Sequence, residues 1–286
     1  IMADMGAEVI KIEMPGRGDD SRYYPPFVKG ESGYFMNLNR NKKSIALNLK
    51  KRQGKDIFFE LVKKSDVVVE NFRPGVMDCL GIGYEVLKKL NPMLVYASIS
   101  GFGQYGSYKD KPGYDIVGQA MGGIMSTTGW PGGPPTRTGC AIADILAGLS
   151  CCIGVLAGLR ARQKIGRGQK VDVALVDSVV AAMEALIQIY TVEGRVPTRI
   201  GNRYEFVYPY DTFKTQDGWV VIAVGNDKNW RKFCEAINRE DLILDLKFST
   251  NEKRVQNYEI VKKIVEDWTL GKRAEEVVSY LSERGV

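Results

Sequence analysis

Between Gly139 and Leu159 the chain runs for 21 residues (GCAIADILAGLSCCIGVLAGL) with a single charged side chain, Asp144. A run of this length and polarity has two destinations: it crosses a bilayer, or it lies as a helix against a large core. The basic residues behind it, Arg160, Arg162 and Lys164, suit either, and Gly154 with Gly158 forms a small-xxx-small pair that lets a helix approach a neighbour closely. An aspartate near the middle of a spanning helix costs about 2.5–3.5 kcal/mol on insertion scales. Four glycines and a serine also leave the run only mildly apolar. The expectation is a helix buried in a large core, with no membrane partner.

The preceding hundred residues show what that core is built from. Glu8–Glu13, Ser44–Leu49, Asp66–Glu70 and Met93–Ser98 read as strands, and Lys55–Lys64 and Tyr84–Leu90 as amphipathic helices. Strands alternating with helices make βαβ units, a parallel sheet and an α/β fold of the Rossmann type. Ligands of such sheets bind beyond the carboxyl ends of the strands, which selects the turns after Glu13, Glu70 and Ser98. From Tyr114 to Tyr190 the chain is mostly helical around one strand, Lys170–Leu175. After a Gly-, Pro- and Arg-containing stretch at Glu193–Asn202, a smaller α+β unit begins with a strand at Trp219–Val224. Its helices are expected at Lys228–Ile237, Asn251–Trp268 and Ala274–Glu283. The division expected is a large domain over residues 1–195 and a linker with the small domain over 196–286. With 286 residues, roughly three quarters of the unfolded surface can be buried without disulfide staples.

Histidine is absent. Ser-His-Asp and Cys-His catalysis, HExxH zinc sites and histidine general bases are therefore excluded, leaving carboxylates, lysines, tyrosines and backbone amides as the chemical groups. The net charge of +6 suits anionic ligands and falls short of a nucleic-acid-coating surface. Five cysteines without CxxC spacing point to reduced thiols in a cytoplasmic protein, and to no metal site. The chain shows no signal peptide and opens inside a helix-like run, Ile1–Ala7, as a segment of a longer protein would.

Gly101-Phe102-Gly103-Gln104-Tyr105-Gly106 spells GxGxxG after a strand. A dinucleotide site also needs a helix at the third glycine and an acid ending the next strand, whereas a polar loop closed by Pro112 follows here. A nucleotide-binding oxidoreductase is thus a weak alternative. Arg17-Gly18-Asp19 reads as a turn. Asp144, alone in its apolar run, supports two readings: a cap at the start of the helix, or a poorly solvated carboxylate nucleophile in an apolar pocket. Composition leaves both open. Asp115, at the head of the next apolar helix, reads as a first-turn acid.

Met2–Glu13, Val69-Glu70-Asn71-Phe72-Arg73-Pro74-Gly75, Ser100–Gln104, Pro112-Gly113-Tyr114-Asp115, Gly122-Gly123-xx-Ser126-xx-Gly129, Gly166-Arg167-Gly168-Gln169 and Gly201-Asn202-Arg203 together resemble the family III CoA-transferases, along essentially the whole chain. The resemblance implies a Rossmann-like large domain, a smaller α+β domain, and two ring-shaped subunits threaded into an interlocked homodimer. It further implies that a first strand, a C-terminal return and part of the CoA site lie outside this sequence. The activity implied is transfer of CoA from an acyl-CoA to a small carboxylic acid through an aspartyl intermediate, with coenzyme A as substrate and no metal.

By the same resemblance Asp144, 29 residues after Asp115, is the nucleophile. Leu47, Asn48, Leu49, Lys50, Asn71, Phe72, Arg73, Gly113, Tyr114 and Asp115 are the CoA-contacting positions. Two arginines of the family are replaced by Met14 and Cys79, so Lys50, Lys51, Arg52 or Arg73 is expected to hold the phosphates. An acyl-CoA racemase of the same fold is the second alternative. That branch places a histidine just before the GYD-type aspartate, where this chain has Tyr114.

Overall fold

A computed structural model describes residues 1–286. It divides into two compact units, Ile1–Ile124 with Arg137–Gly194, and Met125–Thr136 with Arg195–Val286.

The first unit contains seven strands: β1 (Val9–Glu13), β2 (Phe27–Val28), β3 (Glu31–Ser32), β4 (Lys42–Ala46), β5 (Val67–Glu70), β6 (Val95–Ser100) and β7 (Lys170–Ala174). All the βα-type pairs are parallel, as the alternating pattern requires, but they form two sheets rather than one. β1 pairs with β4, and β6 lies between β5 and β7; β2 and β3 make a short antiparallel hairpin. β4 starts two residues before the sequence-based boundary and stops before Leu47, because its register aligns Val9 with Lys42 and Glu13 with Ala46.

Both faces of the three-stranded sheet are covered, which explains its continuously apolar strands. On one face Val95, Ala97 and Val173 pack against Ala143, Ala147, Cys151 and Val155 of the long helix Ile142–Ile165. On the other, Tyr96 joins Phe58 and Val62 of the helix Arg52–Lys63 and Leu87 of the helix Tyr84–Leu90. The long helix departs from expectation in one respect. It is apolar on every side yet buried on one, leaving Ile145, Leu149, Ile153 and Leu156 exposed in a row on the other. By length and composition it could cross a membrane, but in the fold it lies on β6, β7 and the helix Leu175–Ala182.

The second unit packs an antiparallel pair, β8 (Tyr210–Lys214) and β9 (Trp219–Ala223), against helices at Asp227–Ala236, Tyr258–Thr269 and Ala274–Glu283. Its core is aromatic, with Tyr208, Phe213, Trp230 and Phe233 buried. The single helix expected over Asn251–Trp268 breaks at Asn257, whose side-chain amide donates to the Lys253 and Lys247 carbonyls and so competes with the helical ladder. Residues 125–136 belong to this unit: the Gly201 amide donates to the Gly129 carbonyl and the Arg199 guanidinium to that of Ser126.

Candidate active site

Asp144 stands in the first turn of the long helix, behind the N-cap residue Ala141. Alanine offers no side-chain acceptor to the free amides of a helix start, and the acceptor comes from another helix. Asp115, first residue of the helix Asp115–Met121, turns its Oδ1 to the Ala143 amide at 2.9 Å and to the Asp144 amide at 3.5 Å. The capping role considered for Asp144 is therefore filled by Asp115, across a tertiary contact.

The other Asp115 oxygen accepts from Gln119 Nε2 at 2.7 Å, with Arg137 Nη2 4.0 Å away. Gln119, one helical turn on and so on the same side of its helix, is fully buried. Its Oε1 accepts from the Thr138 amide at 2.9 Å, and its Nε2 reaches the Cys140 carbonyl at 3.4 Å. One glutamine thus ties the loop before the long helix to the carboxylate that caps it. Nothing in the sequence marked Gln119 or Arg137 as part of the site; the only signal was the four-residue spacing of Gln119 from Asp115.

The dry pocket expected around Asp144 is not formed within one chain, where the residue is exposed. It sits at the helix end, with the buried Ala143 and Ala147 on one side and the exposed Ile145 and Leu149 on the other. Partial desolvation by these apolar neighbours, followed by the Asp115 charge, pushes its carboxyl above the ordinary range. A carboxylate so placed is more basic than one in water and open to an incoming carbonyl carbon.

The positions matched to CoA contacts lie at strand ends. Asn71, Phe72 and Arg73 follow β5 and are exposed; Glu70 turns back to accept from the Phe72 amide at 2.8 Å and so shapes this turn. Gly113, Tyr114 and Asp115 end the loop that leaves β6, the neighbouring parallel strand. This loop closes on itself where the backbones of Gly101 and Gly113 touch: a Cβ on Gly101 would stand 2.6 Å from the Gly113 Cα. The GxGxxG run makes bends, not the start of a helix, so the dinucleotide reading lacks its defining element. Tyr114 is 77% exposed.

Residues 47–50 follow β4. Leu47 is buried and Leu49 packs against the apolar cluster that contains Phe58, Leu87 and Tyr96, while Asn48 and Lys50 face solvent. Lys51 and Arg52 are exposed beside them at the start of the next helix, and Met14 and Cys79 are exposed as well. Beside the 71–73 turn lies a cavity of about 230 Å³ whose lining includes Glu70, Arg73, Tyr96, Gln104 and Lys170. Burial raises the carboxyl of Glu70, which accepts from the Tyr96 hydroxyl at 3.2 Å. Arg17, Gly18 and Asp19 are occupied structurally: Arg17 pairs with Asp20, and Asp19 pairs with Lys11 and caps the turn Asp20–Tyr23.

The whole chain, residues 1–286, matches the model of CoA-transferase family III. The chain belongs to that family. It is 45% identical over 267 residues to acetyl-CoA:oxalate CoA-transferase of Acetobacter aceti, covering 93% of this chain and 69% of that protein. It is 39% identical over 293 residues to succinyl-CoA:mesaconate CoA-transferase of Haloarcula hispanica, covering 99% and 73%. Among solved structures, a CAIB/BAIF family protein from Brucella suis superposes with a TM-score of 0.86 at 38% identity, over all of this chain and 76% of that one. As a family III CoA-transferase the protein is an enzyme that moves CoA between an acyl-CoA thioester and a carboxylic acid.

Proposed function

We propose that Asp144 is the acyl acceptor of this CoA-transferase. Its carboxylate oxygen attacks the thioester carbonyl of the donor acyl-CoA; the carbon–sulfur bond breaks, giving an aspartyl mixed anhydride and CoA thiolate. The thiolate attacks the aspartyl carbonyl, releasing the donor acid and leaving CoA on Asp144 as a thioester. The acceptor carboxylate then attacks that thioester, and the returning thiolate takes the new acyl group, restoring the free carboxylate. Anhydride and thioester are close in energy, so each step reverses readily, and neither histidine nor metal is called for. Backbone amides of the glycine-rich turns would steady the oxyanions, a contribution whose loss typically costs about 2.7–4 kcal/mol.

The observation that carries this reading is the position of Asp144: solvent-reachable, on an apolar helix start, with its carboxyl raised by desolvation and by Asp115. Leu47, Asn48, Leu49, Lys50, Asn71, Phe72, Arg73, Gly113 and Tyr114 form the CoA side of the site in this reading. Lys50, Lys51, Arg52 and Arg73 supply the phosphate charge in place of the arginines missing at Met14 and Cys79. A homodimer closes the site: the exposed row Ile145, Leu149, Ile153 and Leu156 beside Asp144 is an apolar face suited to a second copy of the chain, whose arrival would exclude water from the carboxylate. Five free cysteines accord with a cytoplasmic enzyme.

Hydroxylamine added during turnover is expected to trap an aspartyl hydroxamate at residue 144, read by peptide mass spectrometry. Asp144→Ala and Asp144→Asn should each abolish transfer. Wild-type rates in Asp144→Ala would overturn the assignment. Exchange of the acyl α-proton with deuterated water, without any acceptor acid, would favour the racemase alternative.

A further inference from the structure

We propose that Asp115, held by Gln119, is a positioning residue for acyl transfer: it fixes the helix start that carries Asp144 and sets beside it a negative charge whose repulsion is relieved on acylation. This rests on Asp144 being the nucleophile. The geometry is specific. One Asp115 oxygen binds the Ala143 amide at 2.9 Å and the other binds Gln119 at 2.7 Å, so the carboxylate cannot turn without breaking one bond. Gln119 is itself locked, because its oxygen takes the Thr138 amide while it is fully buried. A capping role alone would be met by any neutral acceptor, as serine, threonine and asparagine meet it elsewhere. An aspartate adds a charge at the helix start, its Oδ1 3.5 Å from the backbone nitrogen of the residue that carries the second carboxylate.

That charge does chemical work in one direction. Before reaction, two carboxylates share the helix start, and the charge of Asp115 disfavours ionisation of Asp144. When Asp144 attacks the thioester, its charge passes through the tetrahedral oxyanion to the departing CoA thiolate. The resulting aspartyl ester-type carbonyl is neutral, and the repulsion disappears. The thioester that follows is neutral at the same atom. Asp115 therefore raises the free carboxylate relative to both covalent intermediates and makes Asp144 the more basic nucleophile.

The other charges nearby do not take over this role. Arg137 lies on the far side of Asp115, 4.0 Å from its Oδ2. Asp177, on the packing helix Leu175–Ala182, is exposed, and Asp172 of β7 is turned to the Gln104 amide at 2.9 Å.

The test is a single-turnover measurement of CoA loading onto the intact enzyme across pH, with hydroxamate trapping as a second readout. Asp115→Asn keeps an oxygen for the Ala143 amide but opposes its NH2 to that of Gln119. The double variant Asp115→Asn with Gln119→Glu restores a donor–acceptor pair and moves the charge away from the helix start. In both variants the acid limb of the loading rate should shift to lower pH. The loading rate at neutral pH should fall about tenfold, as expected for a less basic nucleophile, and the trapped fraction should fall with it.

If the double variant regains the wild-type rate with an unmoved acid limb, Asp115 is a hydrogen-bonding cap and the proposal is overturned. Wild-type loading and acid limb in Asp115→Asn overturn it as well. If wild-type enzyme yields no adduct at residue 144, it is the nucleophile assignment that has failed, and this inference with it.

Discussion

Glu13 shows how one residue sets the frame for a loop. It is 6% exposed and accepts four hydrogen bonds, from the Asp19 amide, Ser44 Oγ and two nitrogens of Arg22. The loop between β1 and β2 is thereby stapled to both strands of the first sheet. The Arg22 hydrogen bonds dominate and hold the Glu13 carboxyl at about 2, against an ordinary value of 4.5. Asp19 is also held at about 2: desolvation works upward, but Lys11 and Ser21 outweigh it. Because both folded values are depressed, the stabilisation is complete above the ordinary carboxyl range and is lost as pH falls from about 4.5 towards 2. Glu13→Gln should cost about 2 kcal/mol at neutral pH, as losing the charge from a partly buried, hydrogen-bonded pair does. It should also flatten the decline in stability over that acid window. Urea unfolding at a series of pH values reads both, and an unchanged acid slope would count against the staple.

At the scale of the element, the long helix owes its place to its glycines. A Cβ on Gly154 would stand 2.6 Å from Val171 Cγ1 of β7, whereas one on Gly148 would meet nothing within 4 Å. The small-xxx-small spacing that suits a membrane helix here lets a helix lie close on a sheet. Alanine improves helix propensity by about 1 kcal/mol at either position, but overpacking costs about 1–3 kcal/mol at Gly154 alone. Gly154→Ala should therefore lower the unfolding midpoint and Gly148→Ala should raise it or leave it unmoved. Equal effects at the two sites would refute close packing as the reason. The start of the same helix could not be understood from its own residues: Ala141 caps poorly, and the acceptor arrives from Asp115 on a different helix.

For the molecule as a whole, the exposed row Ile145, Leu149, Ile153 and Leu156 ties assembly to activity in the homodimer proposed above. Ile153 is 68% exposed, so a charge there costs one chain little. Ile153→Lys should leave the circular dichroism of the protein unchanged, convert dimer to monomer in analytical ultracentrifugation, and reduce transfer at least tenfold at low protein concentration. A dimer that persists with full activity would move the interface elsewhere.

The α/β alternation, the parallel strands and the position of the long helix could be read from periodicity, because burial on both faces of a sheet writes itself directly into the order of apolar residues. Asp144 stood out for a related reason: one charge among twenty apolar and small neighbours is a local anomaly. The break at Asn257 rests on a local competition, its side-chain amide reaching back to the Lys253 and Lys247 carbonyls. The parting of the strands into two sheets and the membership of residues 125–136 in the second unit depend on hydrogen bonds between residues far apart in sequence. The same holds for the Gln119–Asp115–Ala143 chain, which joins positions more than twenty residues apart. No local pattern encodes such a pairing. Only folding brings the carboxylate of one helix to the bare amides of another, and with it the charge beside Asp144.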